Sequence, residues 1–359
     1  MNVHSSHPLA GRYVLVDQIG AGGMGSVWRA WDLRTSTFLA AKLLTQTDGG
    51  MLLRFVREQS VRIQHPHVVA PSGWAAEDNV VIFTMDLVRG GSVHTLLGDH
   101  GLLPLSYTMV VLDQTLQALA AVHEAGVVHR DVKPANLLLE ATGTGRPYVR
   151  LGDFGVAALM DDVRLTMHPG AIGTEGYMAP EQRLGAPPTP QQDLYALGIV
   201  GIQMLTGLGP RQQQGVPPGP LHDWLSWLTA TEPENRPVSA VAALQALRQL
   251  GVPTGTPWLQ DPEPPEVFDQ LNDVAPPAVP SGAGSAPGSG GSGLTHFGTR
   301  PLSGTPSGGS NAPGPYAASG PSGQPVATPA HRSPATLIAA LLCFLGAIGL
   351  ALAAVLLLL

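Results

Sequence analysis

A short run of the sequence, residues 127–136, carries side chains that could perform phosphoryl transfer. Asp131, Lys133 and Asn136 supply a carboxylate, an ammonium and an amide within six positions. A carboxylate can accept the proton of an attacking hydroxyl, a cation can neutralise the transferred phosphate, and an amide oxygen can bind magnesium. Asp153, which is followed by Phe and Gly, adds a second carboxylate seventeen residues after Asn136. The spacing predicts a loop that holds these groups around one phosphate.

Further motifs follow one another along the chain in a defined order. They are a GxGxxGxV run at 20–27, Lys42 after the apolar run 38–41, Glu58 on a helical pattern, Ala-Pro-Glu at 179–181, Asp193 in an apolar helical run, and Arg236 before a proline. With the run at 127–136, they make residues 12–250 resemble the protein kinase superfamily in its serine/threonine branch. The resemblance implies that Arg236 pairs with Glu181, the glutamate of Ala-Pro-Glu. The segment 176–182, Gly-Tyr-Met-Ala-Pro-Glu-Gln, is similar to that of the eukaryotic-type serine/threonine kinases of bacteria.

The resemblance implies an α+β fold with two lobes: a small β-rich N-lobe of about residues 12–88 and a larger helical C-lobe of about residues 91–250. The residues on both sides of the glycine-rich run also read as strands, which indicates a hairpin that folds over a nucleotide. A dinucleotide-binding fold uses similar glycines, but there they open a helix. No GxxxxGK[ST] pattern of a P-loop is present.

The family pattern also assigns roles to the polar residues. Asp131 takes the hydroxyl proton, and Lys133 stabilises the transferred group. Asn136 and Asp153 bind Mg²⁺, which prefers few protein ligands and keeps phosphate and water oxygens. Lys42 pairs with Glu58 and orients the α- and β-phosphates of ATP. From the residues alone Lys42 could also be a solvated surface lysine, although it ends an apolar run in a chain with only 19 Lys and Arg.

The expected nucleotide contacts lie in the glycine-rich run, in the strand of Lys42 and in a segment that joins the lobes. Val27, Ala40 and Leu138 would enclose the adenine ring, and Asp86 and Val88 would offer it backbone hydrogen bonds. Glycines let backbone N–H groups approach phosphate oxygens. The full predicted set is Ile19, Gly20, Ala21, Gly22, Gly23, Met24, Gly25, Ser26, Val27, Ala40, Lys42, Asp86, Val88 and Leu138.

A regulatory phosphosite is expected at Thr166. It is the only hydroxyl-bearing residue between Gly155 and Gly173, and the cation Arg130 directly precedes Asp131. Phosphorylation of Thr166 by the enzyme itself would add a charge of about −2 that pairs with Arg130 and orders the segment. The alternative, an idle loop threonine, stays open.

Composition changes after about residue 252. Residues 253–335 are rich in Pro, Gly and Ser, and from 274 onward they contain no acid, so they are predicted to be a disordered linker. Residues 337–359 are apolar or glycine and uncharged, and as a helix they would reach about 34 Å, enough to cross a bilayer. The chain is therefore expected to be a single-pass protein of the cell membrane with its kinase domain in the cytoplasm.

Other partners follow from charge and from what the motifs leave open. A net charge of −7 argues against nucleic acid, and the twelve histidines show no zinc spacing. Protein substrates are expected, and a homodimer for trans-autophosphorylation stays open. The run 207–236 is short and proline-rich for the family, so the docking of substrates is not predicted.

Two competing functions remain: a pseudokinase scaffold that binds nucleotide at the membrane, and a small-molecule kinase.

Overall fold

A computed structural model describes residues 8–22, 25–45, 63–77, 80–153 and 176–277. All of them lie in one compact unit, residues 1–284. Within it, a β-sheet is formed by the N-terminal part of the chain, and helices dominate from residue 93 onward. The predicted β-rich N-lobe and helical C-lobe are therefore confirmed over the described residues.

The described part of the N-lobe is one antiparallel sheet. Its strands are β1 (Tyr13–Gly22), β2 (Gly25–Asp32), β3 (Thr37–Thr45), β4 (Pro71–Glu77) and β5 (Val80–Met85). They pair in the order β1-β2-β3-β5-β4. Ala41 of β3 packs with the buried side chains of Tyr13, Ala30 and Ile82 on one face. Because side chains alternate along a strand, Ala40 and Lys42 point to the opposite face, which turns toward the C-lobe.

Over the residues that the structure describes, the C-lobe contains helices, short 3₁₀ turns and one small antiparallel ribbon. The helices are α1 (Val93–His100), α2 (Leu105–Glu124), α3 (Pro180–Arg183), α4 (Pro190–Thr206), α5 (His222–Leu228) and α6 (Ala240–Gln249). Three short 3₁₀ turns lie at Pro134–Asn136, Pro233–Asn235 and Pro257–Gln260. The ribbon pairs β6 (Leu137–Leu139) with β7 (Val149–Leu151).

The centre of the C-lobe is α2, most of whose 20 residues are buried. Its polar members find partners there: Gln114 donates to the carbonyl of Pro147 and accepts from the N–H of Val149. The side chains of Trp224 and Leu228 in α5 join the same core. The short 207–236 region thus contributes to the core at the base of the lobe. A helix that is buried on most of its surface, such as α2, is mainly apolar.

The structure differs from the predicted start of the linker at residue 253, because residues 253–273 still contact the folded domain. Trp258 is fully buried, and Val267 is almost so. The composition of this segment did not predict its contacts, because its many acids and prolines indicate disorder. The apolar side chains of Trp258 and Val267 nevertheless attach it to the C-lobe. Residues 278–335 and the apolar segment 337–359 lie outside the described residues. Within the part that the structure describes, no helix is long and apolar enough to cross a membrane.

Candidate active site

The loop of residues 127–136 is fixed from below by a buried carboxylate. Asp193, in the first turn of α4, accepts the backbone N–H of His129 at 2.8 Å and that of Arg130 at 2.7 Å, one on each oxygen. His123 contacts the same carboxylate, Nε2 to Oδ2, at 2.8 Å. Hydrogen bonds to an ionised acceptor are the stronger kind. They hold Arg130 in a left-handed backbone conformation, φ = 66°, which turns the chain immediately before Asp131.

Two side chains of the loop, those of Lys133 and Asn136, converge on one carboxylate oxygen of Asp131. Lys133 Nζ lies 2.7 Å from Asp131 Oδ2. Asn136 Nδ2 donates to the same oxygen at 2.9 Å and to the backbone carbonyl of Asp131 at 2.7 Å. Because two donors meet one oxygen, the orientation of the carboxylate is fixed, and the amide oxygen of Asn136 must point away from Asp131.

Asp153 is brought to the same place by the end of β7. The N–H of Gly152 donates to the carbonyl of Asn136 at 2.9 Å, and the buried ring of His129 meets the carbonyl of Gly152 at 3.0 Å. Asp153 then adopts φ = 59°. Left-handed backbone at a residue other than glycine costs energy, and such residues cluster at functional sites.

Lys42 reaches this site from the N-lobe. Its ammonium lies 2.7 Å from Asp153 Oδ1, and the residue is only 5% exposed. The contact joins residues 111 positions apart and links the cleft face of the sheet to the catalytic loop. Among the 19 Lys and Arg of the chain, Lys42 and Lys133 are the only lysines. Both lie in this site. An ammonium is a compact point charge, whereas the guanidinium of arginine is planar and spreads its charge, so the two cannot replace each other there.

The predicted adenine-binding residues line the boundary between the lobes. Val27 pairs directly with Lys42 and Ala40 with Met85, so both lie on the cleft face of the sheet. On the C-lobe side Leu138 in β6 forms a β-bridge with Ser92. The joining segment, which lies between β5 and α1 and connects the two lobes, is also hydrogen-bonded to β6, because the N–H of Gly90 donates to the carbonyl of Leu139. Ala40 and Leu138 thus lie on the two sides of the segment that joins the lobes, and the role of these residues in binding adenine stays a prediction.

The glycine-rich run is a β-hairpin, as predicted. Ile19, Gly20, Ala21 and Gly22 belong to β1, while Gly25, Ser26 and Val27 belong to β2. Gly25 has φ = 132°, and a Cβ there would lie 2.2 Å from the carbonyl oxygen of Leu43. Only glycine fits this approach of the hairpin to β3. Gly23 and Met24, at the tip, lie outside the described residues.

Comparison with known proteins agrees with this geometry. The protein kinase domain family matches residues 13–219. The serine/threonine-protein kinase PknA of Mycobacterium tuberculosis is 34% identical over 308 residues, which cover 76% of this chain and 68% of PknA. PkaA of Streptomyces coelicolor is 37% identical over 219 residues, 56% of this chain and 40% of PkaA. PrkC of Bacillus subtilis is 31% identical over 207 residues, 56% of this chain and 31% of PrkC.

This chain belongs to the protein kinase family. Its relatives place it among the bacterial serine/threonine protein kinases, which confirms the predicted family and enzyme class. The match covers less than half of PkaA and about two thirds of PknA.

The donor set of the kinase fits a bound Mg²⁺. Asn136 presents an amide oxygen, because its nitrogen is used by Asp131, and Asp153 presents a carboxylate whose side chain is 42% exposed. Magnesium is commonly held by one or two protein oxygens together with substrate phosphates and water. In the described part of the chain, no group of three or more His, Cys, Asp or Glu could hold a metal ion.

A second predicted pair stabilises the C-lobe of the kinase away from the cleft. Arg236 donates to both carboxylate oxygens of Glu181, at 2.7 and 2.8 Å. The Arg236 side chain is fully buried, and it also donates to the backbone carbonyls of Ala230, Thr231 and Gln191. The pairing predicted from the family pattern is confirmed, and it anchors Ala-Pro-Glu to the base of the lobe.

Some predicted residues cannot be placed, and one functional carboxylate was missed. Glu58 and Thr166 lie outside the described residues, and the structure shows Lys42 paired with Asp153. Asp86 forms an ion pair with Arg150 at 2.6 Å, so its side chain is engaged and its backbone remains the group predicted to meet adenine. Asp193 was predicted only as the start of a buried helix. The signal for its role was an acid within an apolar helical run in a chain that is 13% charged.

Proposed function

We propose that this kinase transfers the γ-phosphate of ATP to serine and threonine hydroxyls of proteins. The observation that carries the proposal is the convergence of Lys133 and Asn136 on one oxygen of Asp131, beside the Lys42–Asp153 pair. Such a set positions a hydroxyl, a phosphate and a metal within one cleft, and positioning with charge stabilisation is most of what phosphoryl transfer requires.

Each residue has a defined task in the proposed reaction. Asp131 orients the substrate hydroxyl and accepts its proton, because its carboxylate is held in one orientation by two donors. Lys133 lies beside that carboxylate, where its charge would also stabilise the transferred phosphoryl group. Lys42 would hold the α- and β-phosphates, and Asn136 with Asp153 would hold Mg²⁺, which neutralises charge on the phosphates when bound.

Labelled ATP with a generic basic protein as acceptor tests the proposal. The Asp131→Asn variant should lose transfer by about 10²- to 10⁴-fold, the usual contribution of a positioned acid or base. Asp99→Asn is the matched control, because Asp99 is exposed in α1 and outside the cleft. Binding of ADP should be similar in both variants. If Asp131→Asn transfers phosphate as well as the control does, the proposed role of the loop is wrong.

The same experiment distinguishes the two alternatives. A pseudokinase scaffold would bind nucleotide but label no protein even without substitution. A small-molecule kinase would label metabolites in a cell extract and leave the protein acceptor unlabelled. Retention of Lys42, Asp131, Asn136 and Asp153 in one cleft favours an active enzyme, and the buried Glu181–Arg236 pair belongs to the pattern of the protein kinases.

We infer further that the kinase is tethered to the cell membrane by residues 337–359, with the catalytic domain in the cytoplasm where ATP is available. The support is sequence alone: an uncharged apolar stretch long enough for the hydrocarbon core. The full chain should remain in the membrane fraction after alkaline extraction, and Leu341→Arg with Leu350→Arg should release it. Retention of the charged variant in that fraction would contradict the tether.

Autophosphorylation at Thr166 is proposed on similar grounds. Thr166 is the single hydroxyl-bearing residue between Gly155 and Gly173, and Arg130 lies immediately before Asp131. Mass spectrometry of the active kinase should find phosphate on Thr166, and Thr166→Ala should lower activity. A fully active Thr166→Ala enzyme would exclude the regulatory role. A homodimer in which one chain phosphorylates the other would make autophosphorylation depend on protein concentration.

A further inference from the structure

The folded segment beyond the last C-lobe helix runs back across the molecule to the N-lobe. We call residues 253–273 the C-terminal strap. Its first half is firmly attached to the C-lobe: Trp258 is fully buried, its ring meets Tyr107 edge-on at 5.1 Å, and its indole N–H donates to the carbonyl of Thr144 at 3.0 Å. Arg146 adds a hydrogen bond to the carbonyl of Pro253.

The second half of the strap lies against the segment that joins the two lobes. Val267 pairs with Gly143 through two backbone hydrogen bonds, 2.9 and 3.0 Å. A Cβ on Gly90 would lie 2.6 Å from Val267 Cγ1, so the strap touches the backbone of the joining segment directly. The N–H of Gln270 then donates to the carbonyl of Arg89 at 2.8 Å.

Arg89 adds side-chain contacts to the strap at the same point. Its Nε lies 2.7 Å from Asp269 Oδ2, and its Nη2 lies 3.1 Å from both Asp273 Oδ1 and the carbonyl of Leu271. The carboxylate of Asp269 is 43% exposed to solvent, and that of Asp273 is fully exposed. Exposed ion pairs contribute little and are screened by salt. This half of the strap is therefore held less tightly than the half that buries Trp258.

The strap ends against β2, one of the two strands of the glycine-rich hairpin. The carbonyl of Asn272 accepts Arg29 Nη1 at 2.6 Å. The remaining guanidinium nitrogens, Nε and Nη2, bind Asp17 of β1 at 2.6 and 3.0 Å, and Arg29 is only 2% exposed. Arg29 therefore joins both strands of the hairpin to the strap, which suits the forked geometry of its donors.

Arg29 is close to the predicted adenine pocket. It lies two residues after Val27 in β2, on the same face of the sheet, and directly opposite Ala40 in β3. A change in the angle of the hairpin at Arg29 would therefore move Val27 and the glycine-rich run relative to Ala40 and to the joining segment.

We propose that strap residues 266–273 position the glycine-rich hairpin over the nucleotide, with Arg29 as the positioning residue that connects them. In this hairpin β2 is paired with β3, while β1 is an edge strand of the sheet, so the orientation of β1 also depends on contacts such as the Asp17–Arg29 ion pair that tie it to the strap. Without the strap the hairpin samples more open orientations, and apparent nucleotide affinity falls by the fraction of chains that remain competent. The proposal concerns nucleotide binding, so it can fail or succeed independently of phosphate transfer.

The test replaces residues 266–273 of the full chain, in detergent, with an eight-residue Gly-Ser sequence. The control places the same sequence at residues 280–287, beyond the strap, so chain length is unchanged in both. Calorimetry with ADP and Mg²⁺ should show an increase in Kd of about threefold to tenfold for the first replacement and none for the control. The KM for ATP should rise similarly, while kcat and the KM for the protein acceptor stay within about twofold, a split that general destabilisation would not give.

Hydrogen exchange decides whether the strap acts through the hairpin. In the replaced chain, residues 13–22 and 25–32 should exchange faster, and the helix α2 should keep its protection. If the joining segment at Gly90 and Gly91 loses protection while ADP affinity and hairpin exchange stay as in the original chain, the proposal is wrong. It is equally wrong if residues 266–273 exchange freely in the unaltered chain.

A point substitution provides a second test in case the replacement of residues 266–273 destabilises the whole domain. Arg29→Lys keeps the charge and one contact, but an ammonium cannot span Asp17 and the carbonyl of Asn272 together. It should weaken ADP binding by about threefold while the helix α2 keeps its hydrogen-exchange protection. Asp269→Asn with Asp273→Asn should give a smaller effect that disappears at high salt. Arg29→Lys with the original ADP affinity and unchanged hairpin exchange would overturn the proposal.

Discussion

The catalytic loop and the glycine-rich hairpin face the same cleft, but they are supported in different ways. The loop rests on Asp193, a carboxylate 1% exposed within the large C-lobe core. Among the described residues, the hairpin belongs to a sheet whose core cluster contains four buried side chains, and its inner strand β2 is joined to the strap through Arg29. Over the described residues, the groups proposed to act on the phosphate are thus held by more buried contacts than the hairpin proposed to cover the nucleotide.

This difference has a physical basis in the number of buried contacts. Local opening costs little where few apolar groups are buried and much where a helix such as α2 is buried on most of its surface. Under the proposed mechanism, the groups expected to act on the phosphate lie on the part with more buried contacts, and the hairpin expected to cover the nucleotide lies on the part with fewer. Substitutions in each region should therefore affect different measurements.

The largest effect is expected beneath the catalytic loop. Asp193→Asn removes the charge and replaces one acceptor oxygen by an N–H₂ group that faces the N–H of His129 or Arg130. Unfolding free energy should fall by about 3 kcal/mol, since a buried donor loses a charged acceptor. Denaturant titration gives this value, with Asp99→Asn as control. A loss below about 1 kcal/mol would show that the loop is not supported mainly by Asp193.

An intermediate effect is expected in the hairpin. Gly25→Ala would bring a Cβ to 2.2 Å from the carbonyl of Leu43 at φ = 132°, and the resulting strain should cost about 1–3 kcal/mol. Its effect should appear as faster hydrogen exchange in β1 and β2 and weaker ADP binding, with α2 unaffected. Gly98→Ala in α1 is the matched control, because nothing lies within 4 Å of its Cβ and alanine favours a helix. Uniform loss of protection in both lobes would contradict the comparison.

The smallest effect concerns acid stability of the N-lobe. The hydrogen bond from Arg12 holds the pKa of the Asp32 carboxyl at about 2, below its ordinary 3.8. Because the folded pKa is depressed, the carboxylate stabilises the fold above about pH 4, and this contribution of about 1–2 kcal/mol is lost as pH falls toward 2. Asp32→Asn should lower N-lobe stability at pH 7 and not at pH 2, as followed by hydrogen exchange of β2. An equal loss at both pH values would exclude the charge as the cause.

The sequence was sufficient for the parts of the site that are close together in the chain or tied to a motif. Asp131, Lys133 and Asn136 are within six positions, so a loop was enough to unite them, and the Glu181–Arg236 pair followed from the resemblance. Contacts over long separations were not predictable. Trp258 with Tyr107 and Asn272 with Arg29 join segments far apart in the chain, and the composition of residues 253–273 suggested disorder.

The central claim is that both lysines of the kinase lie against one nucleotide, and chemical labelling tests it most directly. Acetylation by a small amine-reactive reagent, read by mass spectrometry, can report only Lys42, Lys133 and the amino terminus, which serves as the internal reference. A non-hydrolysable ATP analogue with Mg²⁺ should slow acetylation of both lysines severalfold, and ADP should protect Lys42 more than Lys133. If nucleotide binds, as measured by calorimetry, and neither lysine changes its rate, the account is contradicted.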